Sequence, residues 1–189
     1  MTVAELPPPI KPNPSFHKLV EKKSGEKITA CYQCQKCTSG CPLTFAMDIV
    51  PHKLIRSVQL GLRDEVLKSD TIWVCASCET CTTRCPNGID IAHIMDSLRQ
   101  ISQKEGVKAS QPQIPIFHKT FLASVNRFGR VHEGEMAAMY TIRSGGLKQL
   151  LALRGMARHM FKKGKVKILP HMPNRQVRRI FRAAERRGK

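Results

Sequence analysis

Apolar positions along this chain of 189 residues recur at helical spacing. Leu54, Ile55, Val58 and Leu62 fall on one face behind Asp48, a candidate N-cap, with Pro51 in the first turn. Ile91, Ile94, Met95, Leu98 and Ile101 repeat the pattern behind Asp90. Phe117, Phe121, Leu122, Val125 and Phe128 form a third apolar stretch that Gly129 should stop, and residues 147–161 read as helical by composition. None of these stretches alternates with the period of two that marks a strand, so the fold class is all-α. The stretch 147–161 is interrupted by Lys148, Arg154, Arg158 and His159, too often for a membrane span.

Around the first two helices lies a duplication. Residues 31–42 read CYQCQKCTSGCP and residues 75–86 read CASCETCTTRCP, the same spacing displaced by 44 positions. Both runs have the form C-x2-C-x2-C-x3-C-P, a bacterial iron-sulfur pattern. Three thiolates spaced by two residues can curl around one cubane, while the fourth lies farther along and is followed by Pro. In two-cluster ferredoxins that fourth Cys ligates the other cluster. The expected sets are therefore Cys31, Cys34, Cys37 and Cys85 for one [4Fe-4S] cluster, and Cys75, Cys78, Cys81 and Cys41 for the second. Two zinc sites of four thiolates are the bland alternative, but zinc motifs usually pair C-x2-C knuckles across a long loop. All eight Cys are used, so no redox pair is left over, and no C-x-x-C-H attaches a haem.

His52 and His93 occupy similar places after the two runs and read more simply as helix-start residues bonded to backbone or water than as ligands. Trp73, two residues before Cys75, either shields a cluster or packs in the core. Met136, Met139, Met156 and Met160 read as core or interface filler.

Composition narrows the class further. With 41% hydrophobic and 24% charged residues the chain should fold, and eight clustered Cys do not resemble a secreted disulfide scaffold. Glu5 and the run Pro7-Pro8-Pro9 stand where a secretory signal would have basic then apolar residues, and a cytoplasmic location is expected. The formal charge of +18 is concentrated late: residues 143–189 hold 15 Lys and Arg against one acid, Glu185. An anionic neighbour follows, with an acidic protein partner first and peripheral contact with a membrane surface second. Nucleic acid has no evident use for a two-cluster carrier and is not expected as a partner. The expected layout is an extended N-terminal arm over 1–27, a dicluster domain over 28–106, and a helical, basic C-terminal region for docking to other subunits over 107–189.

With both Cys runs, the helical spacer and Trp73-Val74-Cys75 in place, the chain resembles HdrC, the small iron-sulfur subunit of heterodisulfide reductase, and its bacterial homologues. The likeness is strongest from Cys31 through Ile101 and weaker over 117–133 and 164–171. It implies an α-helical ferredoxin fold and an electron relay in a hetero-oligomer, between an HdrA-like flavin and iron-sulfur protein and an HdrB-like catalytic, disulfide-handling protein. The chain shows no catalytic constellation of its own: it has no spare Cys, no Gly-rich dinucleotide fingerprint and no nucleophile beside a base. The competing resemblance is to the iron-sulfur subunit of a flavin-dependent dehydrogenase acting on glycerol 3-phosphate or a 2-hydroxy acid.

Overall fold

The computed structural model describes residues 12–152, 154–164 and 175–187. These residues form helices and connecting turns, with no strand among them. They fall into two compact units, one ending at Gln111 and the next beginning at Pro112.

The first unit comprises α1 (Phe16–Ser24), α2 (Lys36–Ser39), α3 (Pro51–Gln59), α4 (Arg63–Lys68), α5 (Thr71–Val74), α6 (Thr80–Thr83) and α7 (Ile91–Lys104). The apolar stripe of α7 is its spine: Ile91, Ile94, Met95, Leu98 and Ile101 are all buried, against α1, α4, α5 and α6. Leu54, Ile55 and Val58 of α3 are buried with them. At about 25 cal/mol for each Å² of apolar surface removed from water, this shared core is the main force holding the Cys loops in place.

Three expectations change. The arm expected to be extended over 1–27 is helical from Phe16 to Ser24, because Phe16 and Val20, one turn apart, both bury. Leu62 is not on α3, which ends at Gln59; Gly61 follows at φ 73° and its carbonyl accepts the Asn13 N–H at 2.8 Å. A Cβ on Gly61 would collide with the Asn13 carbonyl, so this tight crossing needs glycine. Asp48 does not cap α3, whose N-cap is Val50. Its carboxylate instead takes the backbone N–H groups of Asp70 at 2.9 Å and Thr71 at 3.0 Å, where α5 begins. Asp90 does cap α7, accepting the His93 N–H at 2.9 Å.

The second unit contains α8 (Gln113–Phe128), α9 (Glu133–Ala152), α10 (Arg154–Lys162) and α11 (Arg175–Arg187). Gly129, in the left-handed region, ends α8 as its position suggested. The packing of α8 inverts the expected stripe: Thr120 and Ser124 are buried, while Phe117, Phe121 and Leu122 are exposed. No helix among the described residues is long and apolar enough to cross a membrane. Most of the stretch 164–171 lies outside the described residues.

Candidate functional site

Each Cys run begins with backbone that its sequence does not favour. Gln33 and Gln35 in the first run, and Ser77 and Glu79 in the second, have φ between 50° and 65°. These positions match one for one across the offset of 44, although none is glycine. Left-handed residues with a Cβ cost about 1 kcal/mol each, and such strain persists where the surroundings impose it. Alternating right- and left-handed residues make concave arrays of N–H groups that suit anions, iron-sulfur centres among them. A short helix, α2 or α6, then carries the third Cys of each run.

The two loops enclose two hollows. Cys31, Cys34, Cys37 and Cys85 line one, with His52, Ile55 and Ile89 behind them, and it holds about 330 Å³ of atom-free space including its mouth. Cys41, Cys75, Cys78 and Cys81 line the other, with Met47 and Met95, in about 400 Å³. Each hollow thus gathers three thiols of one run and the last thiol of the other. Ile91, the first residue of α7, lines both. All eight Cys are free thiols, and among the described residues no group of three or more His, Cys, Asp or Glu could hold a lone metal ion. The thiols ring a space instead of converging on a point, which is the arrangement a cubane fits.

Burial dominates the electrostatics of the inner thiols. Burial pushes the Cys37 and Cys75 thiols up, and Cys81 to about 11. Cys78, at the surface, is lowered by the Thr80 hydroxyl and backbone N–H. Apolar walls disfavour bare thiolates, whereas metal coordination deprotonates a thiol outright.

Polar ties bind each loop to the helix that follows it. The Thr38 hydroxyl accepts the His52 N–H at 3.1 Å and meets His52 Nδ1 at 2.8 Å. In the second repeat the Thr82 hydroxyl donates to Asp90 at 2.9 Å and accepts the Ala92 N–H at 3.5 Å. His52 therefore corresponds to Ala92, not to His93, which is exposed. Trp73 is 3% exposed and lines neither hollow, so it belongs to the core. Sequence reasoning passed over Gln59 and Arg99, each of which donates to the backbone carbonyl of the first Cys in a run. Aligning the helices from their first residues, Pro51 with Ile91, pairs these two side chains and would have exposed them.

Comparison with known proteins points to iron-sulfur chemistry. Residues 30–90 match the family described as a 4Fe-4S dicluster domain. The chain is 39% identical over 105 residues to the iron-sulfur C subunit of the CoB--CoM heterodisulfide reductase of Methanopyrus kandleri, covering 51% of this chain and 55% of the relative. It is 40% identical to a second-type iron-sulfur C subunit of the CoB--CoM heterodisulfide reductase of Methanocaldococcus jannaschii, over 55% of this chain and 52% of that one. A protein of Archaeoglobus profundus named as similar to the heterodisulfide reductase C subunit is 34% identical over 47% of each chain. The chain thus spans about half the length of the curated relatives it matches. The helical segment 30–90 is a 4Fe-4S dicluster domain, and about half of the chain is similar to the iron-sulfur C subunits of heterodisulfide reductases.

Proposed function

We propose that the chain is the electron-relay subunit of a heterodisulfide reductase or of a related complex of sulfur metabolism. It would hold two [4Fe-4S] clusters, one on Cys31, Cys34, Cys37 and Cys85 and one on Cys75, Cys78, Cys81 and Cys41. The observation that carries this reading is the pair of thiol-ringed hollows meeting at Ile91. When bound, such clusters take up and release single electrons. The protein's part is to hold the two groups as neighbours, to keep water from their inner faces with Ile55, Ile89, Ile91 and Met95, and to leave the outer faces open to partners. Cys78 is exposed, so the second site has a surface side.

The partners in this proposal are an HdrA-like flavin and iron-sulfur protein on one side and an HdrB-like disulfide-handling protein on the other, in a hetero-oligomer located in the cytosol. The chain itself does no bond chemistry. Docking falls to the C-terminal region, where Phe117, Phe121, Leu122 and Ile180 are exposed and where residues 143–189 hold 15 Lys and Arg against one acid. Apolar anchors within a charged rim are the usual anatomy of a specific interface. Peripheral membrane contact is the competing reading of the same charge.

Anaerobically prepared protein should carry about eight irons and eight sulfides per chain by the stoichiometry of two cubanes. Cys41→Ala should deplete the cluster held by Cys75, Cys78 and Cys81 and spare the one nearer in sequence, as read by electron paramagnetic resonance. Colourless protein with stoichiometric zinc would refute the cluster reading, and loss of the cluster on Cys31, Cys34 and Cys37 would refute the crossing. Disulfide reduction with an artificial donor should need the added disulfide-handling partner.

A further inference from the structure

Gln59 and Arg99 occupy the same turn of α3 and α7 and make the same tie with different charge. Gln59 Nε2 donates to the carbonyls of Ile28 at 2.9 Å and Cys31 at 3.1 Å. Arg99 donates through Nε to the carbonyl of Ile72 and through Nη2 to that of Cys75. Ile72 and Cys75 are the counterparts of Ile28 and Cys31 at the repeat's offset of 44. Each strap therefore clamps the backbone where a Cys loop begins. Each is also steadied by the side chain three residues earlier on its helix. Arg56 donates to Gln59 Oε1 at 3.0 Å, and Asp96 accepts from Arg99 Nη1 at 2.7 Å. The duplication has kept the strap and altered its charge.

We infer that Arg99 makes the two sites electronically unequal: besides holding its loop, it raises the reduction potential of the cluster bound by Cys41, Cys75, Cys78 and Cys81. The inference rests on the cluster reading above. Reduction adds negative charge, and a nearby cation favours the reduced form by an amount that grows as distance and screening fall. Arg99 is hydrogen-bonded to a ligand's own carbonyl, and its side chain is only 13% exposed.

Two half-buried carboxylates, Glu26 and Asp90, are held at the start of α7 by the Asp90 N–H and the Thr82 hydroxyl and are unchanged in every variant below; the other charges of these loops act through solvent. Lys36 lies in the first Cys run and Glu79 in the second, with Arg56 and Arg84 also on the surface; all four are exposed and screened. Asp96 tempers the guanidinium directly. It takes Nη1 and, at 3.3 Å, the Ser77 hydroxyl of the same loop, but Nη2 and Nε donate to the Cys75 and Ile72 carbonyls, so the guanidinium and not the carboxylate bonds the backbone of the ligand itself. In the first repeat the group at that place is an uncharged amide.

The test is a redox titration of the cluster-loaded full chain, with the two clusters resolved by electron paramagnetic resonance and the second identified by the altered signal of Cys78→Ser. Arg99→Gln copies the strap that the first repeat uses. It should lower the reduced-to-oxidised ratio of the second cluster about tenfold at fixed potential, a fall of about 59 mV for a one-electron couple. The first cluster should not move. Arg99→Lys, which keeps the charge, should recover most of that shift, and Asp96→Asn should move the same cluster upward. No shift in Arg99→Gln, equal shifts in both clusters, or equal effects of the Gln and Lys variants would overturn the inference. Should Arg99→Gln fail to assemble its cluster, Asp96→Asn decides: an upward shift sustains the inference and an unchanged potential sinks it. A chain loaded with zinc sinks the cluster reading and this inference together, whereas two clusters indifferent to Arg99 sink the inference alone.

Discussion

The two units put their apolar residues to opposite uses. In the first, the apolar face of every long helix is turned inward, and Leu54, Val58, Ile94 and Leu98 have no exposed surface. In the second, the described residues that are buried are the hydroxyl-bearing Thr120, Ser124 and Thr141, while Phe117, Phe121, Leu122 and Ile142 keep between 38% and 51% of their surface exposed, Phe117 even with its ring edge-on against Tyr140. Small residues let α8 and α9 approach closely, and their hydroxyls satisfy themselves locally. Thr120 donates to the Ile116 carbonyl at 2.8 Å, and Thr141 to the Ala137 carbonyl at 2.7 Å. A cluster domain must be rigid by itself, because the geometry of eight thiols depends on its core. On the proposed function, the second unit leaves its exposed apolar surface for a partner to cover.

The largest effect that should separate them comes from one kind of truncation made in each. Leu98→Ala removes a fully buried side chain from the spine of α7 and should cost about 3 kcal/mol, as leucine truncations in packed cores do. Leu122→Ala, at a side chain 51% exposed, should cost under about 0.5 kcal/mol in the isolated chain. Amide hydrogen exchange of cluster-loaded protein reads both locally, over 91–104 and 113–128. Comparable losses would mean that the second unit has a core the described residues do not reveal. Leu122→Ala should nonetheless weaken assembly with a partner protein.

The same contrast shows what the sequence could and could not reveal. The α7 stripe was legible because a fully buried helix face imposes its period on the residue types. The Cys runs stand out because a cluster motif of this kind fixes both residue type and spacing. The inverted face of α8 was not legible, since a pattern of Phe and Leu at helical spacing looks alike whether the chain or a partner covers it. Nor were the left-handed residues Gln33, Gln35, Ser77 and Glu79, whose conformation is imposed by the loop and not by their own preference. Asp48 was misplaced because any Asp before an apolar run reads as its cap, and only the fold brings the start of α5 within reach.

A smaller effect tests the polar seam of the second unit. Ser124 Oγ accepts the His132 N–H at 3.1 Å, where the turn enters α9, and Ser124 is fully buried. Ser124→Ala leaves that N–H without its partner and should cost about 1 to 2 kcal/mol, read as faster exchange over 131–136. In a leucine-based seam the same change would be close to neutral, so a silent Ser124→Ala would erase the contrast. The ion pair between Arg127 and Glu135, at 2.5 Å, sits beside this turn but has an Arg side chain 53% exposed. Salt should therefore loosen that pair and leave the Ser124 tie in place.

The smallest effect lies in the first unit, where one carboxylate joins the loop before α3 to the start of α5. Asp48 receives the Thr71 hydroxyl at 2.7 Å and the N–H groups of Ile49, Asp70 and Thr71 at 2.9 to 3.0 Å. Burial alone would raise its carboxyl, but these four donors outweigh it and hold the group below its usual 3.8. A carboxyl depressed in the folded state adds stability that is fully present above pH 3.8 and is lost as pH falls through the depressed value. Asp48→Asn, which keeps the shape and loses the charge, should cost under about 1 kcal/mol near neutral pH, because the group is largely exposed. The gap between wild type and variant should stay constant from pH 7 down to about 5 and close only below the ordinary carboxylate range. Exchange over 69–75, in pulses short against acid loss of metal, measures it. A gap that instead closed between pH 7 and 5 would show that the charge of the Asp48 carboxylate is not what carries the effect.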